Sequence, residues 1–217
     1  MDLDAPLAAA LARDLDRAFP QLVDGHADRL YSIALRLLGD RRDAEEVAQD
    51  TLVRAYRAMS GYPPDRVSSL RLRPWLASIT VNLARNKRRR LDDRRPPSSL
   101  EPMVESGYDV VAEGRRGPEA TAARHESRRE LAAALLTLSP AVRAAVVLRH
   151  VDGLSVAETA EALGRPEGTV KAQVFRGLRE LRVALEHVAP ESLASEPLTT
   201  PTPARPPRPA ATLEAIR

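Results

Sequence analysis

Apolar residues recur at intervals of three and four over residues 7–91, the spacing of helices that bury one face. In the segment LYSIALRLLGDRRDAEEVAQDTLVRAYRAM, Leu30, Ile33, Ala34, Leu37 and Leu38 form the buried face of one helix. Gly39-Asp40 interrupts it, and Ala44, Val47, Ala48, Thr51, Leu52 and Ala55 supply the inward positions of a second. Ser60-Gly61-Tyr62-Pro63-Pro64 and the polar stretch after it form a break. Pro74 then opens a helix whose buried stripe is Trp75, Leu76, Ile79 and Leu83. Turn and breaker residues dominate the next stretch, where Pro96, Pro97, Pro102, Gly107, Gly114, Gly117 and Pro118 fall. Helical periodicity returns over 124–187 and gives way to a Pro-rich end from Val188. Runs with the period of two that marks strands are missing, so the pattern predicts an all-α protein of two small helical domains joined by a flexible linker. The expected organisation is an N-terminal extension over 1–19, a first domain over 20–91, a linker over 92–123, a second domain over 124–187 and a disordered Pro-rich tail over 188–217. Such a tail buries too little apolar surface to offset its ordering entropy.

The second domain carries the sharpest local signal. Ser139-Pro140 reads as the N-cap and first residue of a helix with Val142, Val146, Val147 and Leu148 on its apolar side, ended by Asp152-Gly153. Ser155-Val156-Ala157-Glu158 is a capping box that opens a short helix with Ala160 and Leu163 inward and Gly164 at its end. Pro166 falls in the first turn of a further helix, with an expected stripe of Val170, Val174, Leu178, Leu181 and Leu185. Two helices joined by a tight glycine turn make a helix-turn-helix, with Val170 plugging the angle between them. The opposite face is expected to show Lys171, Gln173, Arg176 and Arg179, with Arg165 at the turn. Arginine and lysine suit phosphates and guanine edges, and glutamine suits adenine.

Composition narrows the picture. With 43% hydrophobic residues but only 2 Phe, 1 Trp and 4 Tyr, the core is built from Leu, Val and Ala, which favours helix. Lys and Arg total 33 against 30 Asp and Glu, so the net charge of +3 says less than its distribution. Basic residues concentrate around 85–95 and 165–182 and acidic ones at 40–50, which suggests nucleic acid and a basic partner surface. The absence of Cys excludes disulfides, thiolate zinc sites and thiol redox sensing within the chain. Met1-Asp2-Leu3-Asp4 lacks the basic start of a signal peptide and no apolar run reaches spanning length, so the expectation is a cytoplasmic protein with no membrane insertion.

Asp43, Glu46 and Asp50, with Gln49 beside them, share one side of their helix. Carboxylates so placed fit three readings. They could bind a metal in a helical hydrolase, which needs further carboxylates from other helices, and no second cluster stands at matching spacing. They could be a solvated face, the usual fate of charges. They could also dock a basic partner surface. In RPWLASITVNLARNKRRR, residues 85–90 hold five basic side chains and Asn86, a density whose self-repulsion phosphates would relieve. Asn82 and Asn86 sit within this face, and asparagine reads base edges where a pure charge tail would not.

LSPAVRAAVVLRHVDG followed by LSVAETAEALGRPEGTVKAQVFRGLREL resembles the minus-thirty-five-binding domain of extracytoplasmic-function sigma factors of bacterial RNA polymerase. The chain keeps that family's Gly168, Thr169, Val170 and Lys171 and departs from it at Ala172, Gln173, Phe175 and Gly177. DAEEVAQDTLVRAY resembles the family's segment that grips the coiled coil of the largest polymerase subunit, matching at Asp43, Ala44, Glu46, Gln49, Asp50 and Ala55. The stretch from Pro74 to Arg90 resembles its minus-ten helix. The resemblance covers about residues 20–187 and implies sigma region 2 in the first domain and region 4 in the second. It implies a non-enzymatic specificity subunit, without cofactor or metal, that binds core polymerase, directs promoter-specific initiation and assists DNA opening. Core contacts would fall on Asp43, Glu46, Gln49 and Asp50. Minus-ten contacts would fall on Asn82, Arg85, Asn86, Lys87, Arg89 and Arg90, with the loop over 60–73 holding a flipped base. Minus-thirty-five contacts would fall on Arg165, Lys171, Gln173, Arg176 and Arg179. An anti-sigma factor is a further implied partner. The alternatives are an ordinary helix-turn-helix regulator, which would need a sensory or dimerisation domain that residues 20–91 do not resemble, and the metal-dependent hydrolase.

Overall fold

The computed structural model describes residues 4–94 and 118–188, so the Pro-rich end and most of the expected linker lie outside the described residues. Every regular element among the described residues is helical. The first domain comprises α1 (Asp4–Arg13), α2 (Leu15–Leu38), α3 (Arg41–Ser60), the short α4 (Pro64–Ser68) and α5 (Leu72–Arg94). The second comprises α6 (Pro118–Thr137), α7 (Pro140–Val146), which continues into a π-helical turn over Val147–Val151, α8 (Val156–Leu163) and α9 (Glu167–Val188). Three of the expected boundaries fall inside helices. Residue 20 lies within α2, residue 91 within α5 and residue 123 within α6.

The turn at Gly39-Asp40 shows how locally the first domain is specified. Gly39 ends α2 with φ of 82°, in the left-handed region, and its N–H donates to the Leu35 carbonyl. Asp40 opens α3 with its carboxylate accepting from the Asp43 N–H at 2.8 Å. The helix pair then buries Leu30, Ile33, Ala34 and Leu37 against Ala44, Val47, Thr51 and Ala55. Residues of the expected N-terminal extension pack on the first domain. Ala8 and Leu11 of α1 are buried in the first domain's core, and the Asp4 carboxylate accepts from the Arg73 N–H at the start of α5. This is a helix cap supplied from 69 residues away.

In the second domain the capping box forms in both directions, with the Ser155 N–H donating to Glu158 and the Glu158 N–H to the Ser155 hydroxyl. Gly164 closes α8 in the left-handed conformation at φ of 60°, and Val170 is fully buried between α8 and α9. Ser139 precedes Pro140 as expected, but its side chain makes no capping bond.

The domains are docked on one another. A continuous apolar cluster joins Ile33, Leu37, Val81 and Ala84 of the first to Leu135, Leu138, Val142 and Leu154 of the second. Arg143, 1% exposed, crosses this boundary. Its guanidinium donates to the Leu37 carbonyl at the end of α2, to the Leu136 carbonyl in the last turn of α6 and to the Leu138 carbonyl just after it. Burial, reinforced by the neighbouring Arg88 charge, lowers its pKa to about 10, so it stays charged at neutral pH.

Candidate functional site

Two helices carry most of the candidate residues. On α3 the buried face of Ala44, Val47, Ala48 and Thr51 turns Glu46, Gln49 and Asp50 to solvent, with Asp43 half-buried. On α5 the core side is wider than the four positions read from the sequence. Leu72, Leu76, Ala77, Thr80, Val81, Leu83 and Ala84 are buried, while Trp75 and Ile79 are half-buried at its margin. That packing leaves Asn82, Arg85, Asn86, Arg89 and Arg90 exposed. Lys87 differs. Its ammonium lies 3.0 Å from Asp43 and 2.6 Å from Glu46, and these carboxylates raise its pKa. The acidic and basic surfaces therefore meet along one edge. Asp43 and Glu46 converge on a cation from α5, and among the described residues no group of three or more His, Asp or Glu side chains is arranged to hold a metal ion.

At the start of α5, Trp75 meets Tyr62 of the preceding turn at 6.5 Å between ring centroids, with the rings tilted by 57°, and the Arg66 guanidinium stacks 3.7 Å over the Tyr62 ring. These groups line the segment from 60 to 75. Their flat faces suit an unstacked base.

On α9 the sequence reading needs one correction. Lys171, Arg176 and Arg179 are exposed as expected, and so is Arg165. Gln173 is buried, 5% exposed, with its Oε1 lacking a partner among the described residues. The true inner face runs Val170, Gln173, Gly177 and Leu181, and Leu178 of the expected stripe is exposed. At about 100° per residue this is a rotation of roughly 60° from the expected stripe. The cause is Gly177. A Cβ there would meet Val146 at 2.5 Å and Val142 at 2.8 Å, so the missing side chain lets α9 press closest to α7 at that point. The outward face is then Lys171, Ala172, Phe175, Arg176 and Arg179. Phe175, 72% exposed, stood in the sequence only as a departure from the family pattern and not among the expected contacts.

Sequence reasoning also missed a set of single arginines. Arg29 of α2 forms a bidentate ion pair with Asp152, and Arg73 donates to the Asp152 carbonyl at 2.7 Å. Arg71 pairs with Glu158 at 3.0 Å and Glu161 at 2.8 Å. Each stands outside the dense basic runs, and only the docking of the domains brings them together.

Comparison with known proteins agrees with this architecture. The family model described as Sigma-70 region 2 matches residues 22–94, and Sigma-70 region 4 matches residues 128–181. The chain is 37% identical over 180 residues to the ECF RNA polymerase sigma factor SigE of Mycolicibacterium smegmatis, covering 82% of this chain and 65% of that protein's length. It is 35% identical to SigL of Mycobacterium tuberculosis, covering 83% of this chain and 94% of the relative, and 31% identical to SigW of Bacillus subtilis, covering 77% and 89%. Among solved structures, CnrH in complex with the cytosolic domain of CnrY superposes with a TM-score of 0.61 at 29% identity, covering 86% of this chain and 99% of that one. The fold also matches RpoE of Bartonella quintana, solved with the anti-sigma factor NepR, at a TM-score of 0.55 and 23% identity, covering 77% and 96%. With a region 2 helix pair, a basic α5 and a region 4 helix-turn-helix in the same order, the chain belongs to the extracytoplasmic-function RNA polymerase sigma factors and serves promoter-specific initiation of transcription.

Proposed function

We propose a division of labour among the exposed side chains of this sigma factor. Glu46, Gln49 and Asp50 dock a basic surface of the largest polymerase subunit, and Asp43 contributes from the half-buried edge while holding Lys87. Asn82 and Asn86 read minus-ten bases, while Arg85, Arg89 and Arg90 hold phosphates and Lys87 ties the two surfaces together. Lys171, Phe175 and Arg176 enter the major groove of the minus-thirty-five element, with Arg165 and Arg179 on its backbone. Phenylalanine offers an apolar contact for a thymine methyl, and the basic groups offer donors to guanine and phosphate. The chain performs no catalysis of its own and acts in the cytoplasm, where polymerase and promoter meet. An anti-sigma factor as a regulatory partner is supported by the structural relatives, one of them solved with a protein of that kind.

The observation that carries this reading is the rotation of α9, which turns Gln173 inward and leaves Lys171, Phe175, Arg176 and Arg179 on one free face. Selection from a randomised minus-thirty-five library by reconstituted holoenzyme tests it. Lys171→Ala or Arg176→Ala is expected to relax preference at one position by about 1–3 kcal/mol. Gln173→Leu, buried and turned away, is expected to leave base preference unchanged. A shifted preference in Gln173→Leu with none in Lys171→Ala or Arg176→Ala would overturn the assignment.

A further inference from the structure

α1 lies ahead of the stretch that matches sigma region 2, residues 22–94, and none of the proposed contacts falls on it. Its sequence, DAPLAAALAR, sets Ala8 and Leu11 on one face at a spacing of three, and both are buried. Asp14 separates α1 from α2 and caps α2 by accepting from the Arg17 N–H at 3.1 Å. The chain turns there, and α1 rests against both α2 and α4.

What α1 covers is the back of the segment from 60 to 75. α4 has only five residues, and its N-cap, Pro63, offers no side-chain acceptor. A helix that short does not hold its own shape in water. It is held by Val67, buried in one cluster with Ala8 and Leu11 of α1 and with Leu72 and Leu76 of α5. Arg66, the residue before Val67, is exposed and stacks on Tyr62, so the seat of Val67 sets where that guanidinium stands. The second attachment is Asp4. Its carboxylate accepts from the Arg73 N–H at 3.2 Å, two residues ahead of Trp75, and lies 3.6 Å from Nε2 of the buried His26. Both sides of the Tyr62–Trp75 pair are thus tied to α1, one through Val67 and the other through Arg73.

An unstacked base makes strict demands on such a pair. Leaving the stack costs pairing and stacking energy, which only a fitted pocket returns. Fit requires that the walls be held within roughly 0.5 Å by the packing behind them. We propose that α1 is the positioning element of this pocket. Ala8 and Leu11 seat α4, Asp4 fixes the start of α5, and Tyr62, Arg66 and Trp75 are thereby held at the spacing that accepts one unstacked minus-ten base. Asp4 touches no DNA and sets base preference through the place it gives Trp75. The inference rests on the reading that the segment from 60 to 75 meets minus-ten DNA.

The test uses holoenzyme reconstituted from the full-length chain and core polymerase, with a promoter library varied at each minus-ten and minus-thirty-five position. Asp4→Ala removes the acceptor, Asp4→Asn keeps a carbonyl oxygen for the Arg73 N–H, and Tyr62→Ala removes a wall of the pocket itself. Asp4→Ala is expected to reduce preference at one minus-ten position by about fivefold, roughly the worth of one helix cap. Minus-thirty-five preference and co-elution with core polymerase are expected to stay as in the parent, and Asp4→Asn is expected to keep the parent's minus-ten preference. A merely structural Asp4 would instead lower output from every promoter alike and leave the ratios intact. Tyr62→Ala is expected to lose preference at the same position, and Tyr62→Ala with Asp4→Ala to lose no more, since a residue acting through the pocket adds nothing once the pocket is gone. Where Asp4→Ala lowers helicity, Leu11→Met, which keeps the volume and changes the shape set against α4, repeats the measurement with the same expected loss. Preference lost in Tyr62→Ala but intact in Asp4→Ala and Leu11→Met overturns the role of α1 and leaves the pocket standing. A double variant that loses further preference overturns action through the pocket. Intact preference in Tyr62→Ala overturns the reading of the segment itself, and the proposal with it.

Discussion

Arg143 is a charged residue that the sequence reading placed in a helix without a role. It lies among Val142, Ala144 and Val146, and a lone arginine in such a run reads as the solvent side of a helix. The structure buries it because three helix-end carbonyls, those of Leu37, Leu136 and Leu138, converge there with no N–H of their own to meet. Arg143→Met keeps the bulk and removes the donors, and a loss on the order of 3 kcal/mol is expected in urea unfolding, because buried acceptors are left unmade. A midpoint within error of the parent would show that water replaces the guanidinium. His26 is the second such residue, 5% exposed, with Nε2 3.6 Å from Asp4. Burial lowers its pKa below 6.5, against the opposing pull of Asp4 and Asp152 and with help from Arg29 and Arg73. The unfolded chain therefore takes up a proton just below pH 6.5 while the folded chain does not. Stability falls as pH drops through that window, down to the folded value. His26→Gln is expected to lose less stability than the parent between pH 7 and 5.5, and equal losses would count against the assignment.

At the scale of the element, most helices were legible because their signals are local. The Gly39-Asp40 turn, the Ser155–Glu158 capping box and the Gly164 cap are each written within a few residues, and each formed. The exposed face of α3 and the exposed asparagines of α5 followed from the same periodicity. What periodicity could not set was rotation where a contact needs a missing side chain. Val174 and Leu178 are better hydrophobes than Gln173 and Gly177, so the stripe was drawn through them. Packing instead chose the face that lets α9 approach Val142 and Val146. Gly177→Ala tests this choice. Alanine is worth about 1 kcal/mol more than glycine within a helix, yet here its Cβ would fall within 3 Å of two β-branched side chains. The expected result is a net loss of about 1–2 kcal/mol, since overpacking costs of about 1–3 kcal/mol outweigh the helical gain. A more stable Gly177→Ala chain would place the closest approach of α9 elsewhere.

The whole molecule is where sequence reasoning had least to work with. Two domains with a breaker-rich stretch between them read as independent bodies. Of the face that joins them, Ile33, Leu37 and Val142 were assigned to the separate cores, and Val81, Ala84, Leu135 and Leu138 were assigned to none. A residue buried against its own domain and one buried against a neighbour carry the same apolar signal. The interdomain ion pairs are equally silent, because Arg29 and Asp152 are 123 residues apart in the chain. A shared core has a thermodynamic signature that separate domains lack. If each domain hides apolar surface on the other, melting either exposes both, and the described helices unfold together. Leu136 is the place to break this coupling. Its side chain lies against the turn at Gly39, so close that a Cβ there would come within 2.5 Å of it, and it is only half-buried. Leu136→Glu puts a carboxylate on that turn with limited harm to the core of its own domain. Scanning calorimetry is expected to show one transition for the parent chain and two for Leu136→Glu, the second domain melting first because it is the smaller body and loses the larger share of its buried surface. Two transitions already present in the parent would mean that the docked state contributes little to stability. A single transition retained in Leu136→Glu would place the coupling in Arg143 and the Arg29–Asp152 pair, where the same scan on Arg143→Met would then split it.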